Sequence, residues 1–168
     1  MLYPVFRIAK YTGCRVGEVC NLKFDDVDLD AQTLTIRESK SYAGQRIIPI
    51  ADILLPTIKE LVAKSDGDFL IEINSTNKDG RRSTIPQKRF HIIRDELQMG
   101  SKLVFHSLRK SFASVCQSKQ IPEATVAAIL GHANAGTSSL SYSLYSSGPD
   151  AKQMKEAVET VAAVLDDR

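Results

Sequence analysis

The sequence predicts an α+β domain, mainly α-helical, with one small three-stranded antiparallel β-sheet. Three observations lead there. Apolar residues recur at helical spacing through most of the chain, short β-rich runs stand at 32–37, 45–50 and 68–73, and no segment repeats or is of low complexity. The 168 residues suit one domain, and a domain of this size buries roughly 70% of the surface its unfolded chain exposes, enough for a core without staples.

The first helix is expected over 4–11, ended by Thr12-Gly13. A second follows over 15–22, with Val16, Val19, Cys20 and Leu22 near helical spacing. The acidic stretch FDDVDLD has a superficial likeness to a calcium loop. Ala31 stands where the sharp-turn glycine belongs, and Arg37 where the bidentate glutamate belongs, so no metal is expected there. Residues 32–37 and 45–50 form a β-hairpin whose connection, Ser39 to Gly44, contains Lys40 and a glycine. A helix over 53–63 and a short strand over 68–73, completing the sheet, come next. The breaker-rich NSTNKDGRRST is a loop, and helical pattern returns over 87–98.

From Ser107, Leu108, Phe112 and Val115 define a buried helical stripe. Pro122 opens another helix, and Gly131 suits a left-handed cap at its end. The short connection between these two helices can bring His106 and His132 near one another. LSYSLY reads as a further short helix, Ser147-Gly148-Pro149 as a break, and 151–165 as a final amphipathic helix with Met154, Val158, Val161 and Leu165 on one face.

Composition narrows the function classes. With 43% hydrophobic and 25% charged residues the chain is ordinary for a globular protein, and no apolar run approaches the ~20 residues of a membrane helix. The first residues do not read as a signal peptide, so a cytoplasmic protein with no membrane association is expected. Cys14, Cys20 and Cys116 form no CxxC pair and are expected as buried thiols, neither disulfide nor zinc ligands. The net charge is only +2, yet between Lys78 and Lys119 ten Lys or Arg face three Asp or Glu, an excess of seven. Such a concentration suits phosphate neutralisation, or simply a solvated surface.

The chemistry-bearing segments are, in order, TGCRVGE with Arg15, SKSYAGQRIIPI with Lys40, HSLRKSFAS with His106 and Arg109, LGH with His132, and SYSLYSSG with Tyr142 and Tyr145. In this order they resemble the tyrosine recombinase (phage integrase) family, whose active sites hold Arg, Lys, His-x-x-Arg, His or Trp, and a nucleophilic Tyr. The resemblance runs from about Tyr11 to about Gly148. It implies the DNA breaking-rejoining fold and a site-specific recombinase or integrase acting on double-stranded DNA. The tyrosine would keep the 3′ phosphate, and neither metal, ATP nor any other cofactor would be needed. It also implies that residues 1–168 are the catalytic domain of a longer protein whose N-terminal core-binding domain lies outside this chain. The working assembly would be a homotetramer on synapsed sites, monomeric when free, and the source a prokaryotic mobile element.

These residue types suit that chemistry. Negative charge grows on the non-bridging oxygens of a phosphodiester under attack, and two guanidinium forks, Arg15 and Arg109, can give it paired hydrogen bonds. The competing reading of Arg15 is an ion pair with Glu18 at i, i+3. His106, three residues before Arg109, is a candidate proton carrier, and His132 a candidate hydrogen-bond donor to phosphate; His91 lacks such company and is read as structural. A phenol with a pKa of about 10 needs this environment to become a nucleophile. Lys40 is the candidate general acid for the departing 5′ oxygen, or otherwise an exposed hairpin lysine that discourages edge pairing.

The two tyrosines share a helical face. Tyr142, ten residues after His132, fits the family spacing better than Tyr145, thirteen after, whereas the SYSLYSSG ending favours Tyr145. Tyr145 is taken as the nucleophile, with Tyr142 the alternative. A topoisomerase IB-like strand-passage enzyme and a catalytically inert DNA-binding module are the competing functions. The final helix would dock either on a neighbouring subunit or on its own domain.

Overall fold

The computed structural model describes residues 2–37, 45–64, 67–73, 80–132 and 149–167. Its helices are α1 (Leu2–Thr12), α2 (Val16–Cys20), α3 (Leu55–Lys64), α4 (Thr84–Glu96), α5 (Ser107–Ser118), α6 (Glu123–Leu130) and α7 (Ala151–Asp166). Three strands, β1 (Val27–Asp28), β2 (Thr33–Ile36) and β3 (Arg46–Pro49), form an antiparallel sheet in that order. Short 3-10 turns at Phe24–Asp26 and Asp52–Leu54 lead into β1 and α3.

The expected three-stranded sheet is present, but one of its strands is not the expected one. Residues 68–73 make only a bridge, Lys23 to Phe69, with backbone bonds from Phe24 to Asp68 and from Leu70 to Leu22. The third strand is instead the acidic stretch, where Val27 pairs with Leu34 and Asp28 with Thr33. The Asp28 carboxylate accepts the Ala31 amide, and Gln32 takes φ 53°, so the chain reverses at once and the nearest strand wins. Asp26 is buried and pairs with the Arg37 guanidinium. Smaller adjustments follow the same local rules. α4 begins at Thr84 because Pro86 is tolerated in a first turn, and Arg15 caps α2 rather than lying within it.

Alternation in β2 and β3 works as the pattern required: Leu34, Ile36 and Ile48 are buried while Ile47 is outside. The core runs from this sheet face through Val5 and Ile8 of α1, Phe112 of α5, and Ile129 and Leu130 of α6 to Val158 and Val161 of α7, all at most 1% exposed. α7 thus packs on its own domain, against α1, α5, α6 and β3. Its ends are pinned by polar contacts. Lys155 bonds the Ile50 carbonyl at 2.6 Å and pairs with Asp52 and Glu159, and the Tyr11 hydroxyl donates to Asp166 at 2.9 Å. Burial, then that carboxylate, push the Tyr11 phenol up to about 12, which suits an anchor and not a nucleophile. All three cysteines are buried and reduced.

Among the described residues no helix is long and apolar enough to cross a membrane, and no three His, Cys, Asp or Glu side chains group as metal ligands.

Candidate functional site

The site is assembled where three chain turns meet. At the first, α1 ends with Thr12, whose hydroxyl donates to the Ile8 carbonyl at 2.6 Å, and Gly13 takes φ 66°. A β-carbon at Gly13 would stand 2.6 Å from Leu130 Cδ2 and 3.0 Å from the Phe112 ring, so only glycine lets the chain turn this tightly against α5 and α6. The turn delivers Arg15 to the N-cap of α2 with extended backbone. At the second, Gly131 takes φ 67° and ψ 45° after α6, with amide bonds from Gly131 and His132 back to the Ala127 carbonyl. This places His132 just past the helix, exposed. At the third, His106 stands at the start of α5, exposed, one turn before Arg109.

Arg109 ties these turns together. It is 5% exposed, and its terminal nitrogens donate to the Gly13 carbonyl at 2.8 Å and the Leu130 carbonyl at 2.7 Å. The two segments that carry Arg15 and His132 therefore hang on one guanidinium. Burial, then the neighbouring Arg15 charge, lower its pKa to about 10, which still leaves it cationic at neutral pH.

The Arg15–Glu18 pair weighed from sequence is present, at 2.7 Å, with the Arg15 side chain half exposed and Glu18 buried. It is one part of a larger cluster. Glu18 Oε1 accepts Arg15 Nη1 and, at 3.3 Å, Arg46 Nη1; Glu18 Oε2 accepts the Arg15 amide and Arg46 Nη2, both at 2.9 Å. Burial raises the Glu18 pKa, but the bonds and charge of Arg46, then those of Arg15, outweigh it and the net shift is downward. The Arg46 Nε also donates to the Ile129 carbonyl at 2.6 Å.

His106 and His132 share this field. Burial first, then Arg109, Lys110 and Arg15, hold His106 below the ordinary histidine value; burial, then Arg109, Arg15 and Arg46, do the same for His132. Both imidazoles are accordingly neutral at physiological pH. Arg15, His106, Arg109 and His132 thus come together. Lys40, Tyr142 and Tyr145 lie outside the described residues, as does the expected helix at LSYSLY. His91 sits edge-on to its chain neighbour Phe90, with ring centroids 6.4 Å apart.

Sequence reading missed Arg46. Its only signal is position: it shares the inward face of β3 with Ile48, so a charge falls where an apolar residue is the rule. The basic stretch is also less of a surface than the count suggested. Arg82 bonds the Cys20 and Ile71 carbonyls and stacks 3.6 Å over Phe69, Arg94 reaches the Ser101 and Leu103 carbonyls, and Arg109 is internal. Lys88, Arg89, Lys102, Lys110 and Lys119 are exposed.

Comparison with known proteins shows the family. The family model described as the phage integrase family matches residues 2–145. Tyrosine recombinase XerA of Pyrococcus furiosus is 32% identical over 149 residues, covering 88% of this chain and 50% of that protein. Among solved structures, the crystal structure of XerA recombinase matches with a TM-score of 0.61 at 25% identity, over 92% of this chain and 54% of that one. The Tn1549 transposon integrase in complex with a circular intermediate DNA matches with a TM-score of 0.67 at 15% identity, over 79% of this chain and 51% of that one, a likeness of fold. The chain spans about half the length of these curated relatives.

Proposed function

Because the chain belongs to the phage integrase family, we propose that it performs the strand-transfer chemistry of a site-specific DNA recombinase, cutting and rejoining duplex DNA through a 3′-phosphotyrosyl intermediate. The observation that supports this best is the meeting of Arg15, His106, Arg109 and His132 at turns from distant parts of the sequence.

In this reading Arg15 and the N–H groups of Arg109 not given to Gly13 and Leu130 hold the non-bridging oxygens of the scissile phosphate. Bonds to Glu18, Gly13 and Leu130 orient these two side chains before substrate arrives, so charge that develops in the transition state meets donors that are already placed. The Tyr145 hydroxyl attacks phosphorus and passes its proton to the neutral imidazole of His106, a transfer that an imidazolium could not accept. Lys40 protonates the departing 5′ oxygen. His132 donates a hydrogen bond to the phosphate. The free 5′ hydroxyl of a partner strand then attacks the phosphotyrosine, and the protons return by the same groups. One phosphoester replaces another, so no ATP is consumed.

Residues 1–168 are proposed as the catalytic unit of this recombinase, acting on double-stranded DNA in the cytoplasm as a homotetramer on synapsed sites and monomeric when free. The test is a trap. The complete protein is mixed with a pool of nicked duplexes randomised around the nick, so that the short cleaved fragment diffuses away and the covalent adduct accumulates on a denaturing gel. Tyr145→Phe is expected to abolish the adduct and Tyr142→Phe to retain it. The reverse result moves the nucleophile to Tyr142. An adduct that survives both substitutions, or salt-sensitive binding without any adduct, sinks the reading.

A further inference from the structure

We propose that Arg46 is a positioning residue for strand transfer: by sharing both oxygens of the Glu18 carboxylate with Arg15 and by holding the end of α6, it leaves the Arg15 charge free for the phosphate. The inference rests on the recombinase reading above. It starts from a problem of charge. Glu18 lies directly against Arg15, bonding both its guanidinium and its amide. An acid in that place is useful for orientation, since it fixes Arg15 at the start of α2. It is harmful for electrostatics, since a carboxylate beside a phosphate-binding cation cancels the field the phosphate would feel.

Arg46 resolves this. Each Glu18 oxygen takes one bond from Arg15 and one from Arg46, four in all, so its lone pairs are divided between two cations. The Arg46 and Glu18 side chains are 6% and 5% exposed, whereas that of Arg15 is 46% exposed. The buried pair therefore neutralises itself inside, and the cation left over is the one facing solvent. Counting Arg15, Arg46 and Arg109 against Glu18 gives a net charge of +2. Without Arg46 it would be +1, and Glu18 could take the Arg15 fork for itself. A phosphodiester carries one negative charge and gains most of a second as it is attacked, so the missing charge matters most in the transition state.

The same guanidinium reaches the other wall of the site. Its Nε holds the Ile129 carbonyl at 2.6 Å, and a β-carbon at Gly131 would stand 2.7 Å from its Nη1. The left-handed turn that presents His132 is thus packed against Arg46. Lysine could keep the charge but not the fork that spans Glu18 and Ile129 together.

The experiment uses the complete protein and a nicked duplex recovered as adduct from the randomised pool. Arg46→Met keeps the volume of the stem and is expected to slow adduct formation about 100-fold, the loss typical of one preorganised donor. Glu18→Gln added to Arg46→Met removes the charge left unbalanced and is expected to recover about tenfold of that rate, although it restores no buried ion pair. A residue with a merely structural role would not behave so, since removing a second partner from the cluster gives it nothing back. Thermal melts of both variants accompany the rates, taken at a temperature where each is folded, and the rate ratio is expected not to follow the melting temperatures. An unimpaired Arg46→Met, or a double variant no faster than the single, overturns the role of Arg46 while leaving the recombinase reading intact. Absence of any adduct from the wild-type protein overturns both.

Discussion

At Arg109 and Glu18 the ordinary preference of charged side chains for water is set aside, and in each case the loss of hydration is offset by bonds. Arg109 is satisfied by two backbone carbonyls, and Glu18 by four donors. Arg109 and the cations around it act in turn on His106 and His132, both held below the ordinary histidine value, burial being the first cause and these cations the next. In the unfolded chain these imidazoles take up protons at a pH where the folded protein does not. Their contribution to stability is therefore complete above the ordinary histidine value of about 6.5 and is lost as pH falls through that value toward the folded ones. The melting temperature is expected to decline between about pH 7 and pH 5, and the decline to flatten in a His106→Asn, His132→Asn double variant. Equal slopes for the two proteins would contradict the assignment.

Among the elements, the turns matter more than the helices they join. Gly131 needs a left-handed backbone, which costs a side-chain-bearing residue about 1–2 kcal/mol, and its missing β-carbon is where Arg46 lies. Gly100 has an equally left-handed φ of 82° but nothing within 4 Å of the β-carbon position. Gly100→Ala therefore isolates the backbone cost. Gly131→Ala is expected to lose at least about 1 kcal/mol more than Gly100→Ala in urea unfolding, because Arg46 must also move off Glu18 and Ile129, each held by a hydrogen bond. Equal losses would mean that the contact with Arg46 is slack.

For the whole molecule, the question is whether α7 completes this domain or serves a neighbour. Val158 and Val161 are fully buried, and Lys155 and Tyr11 pin the helix at both ends. Removing two methyl groups from such a site leaves a cavity the surroundings fill only in part. Val158→Ala is expected to cost about 2 kcal/mol of unfolding free energy, on the scale of burying one valine side chain, and to do so at concentrations where the protein is monomeric. Unchanged monomer stability with altered self-association would instead assign α7 to an interface.

Much of this was legible along the chain because its physical cause is local. Period-3.6 patterning located the helices, alternation located β2 and β3, and Gly131 announced the end of α6. Resemblance to the motifs of a family put Arg15, His106, Arg109 and His132 forward in order, and the fold brings these four together. Tertiary structure decided what sequence spacing cannot encode: which stretch closes the sheet, which basic residues face inward, and that Arg46, 28 residues from Glu18 and 83 from Ile129, joins them. Contacts of that range depend on how the strands and helices stack: alternation along β3 puts Arg46 on the face of Ile48, but does not say which carboxylate and carbonyl it meets there.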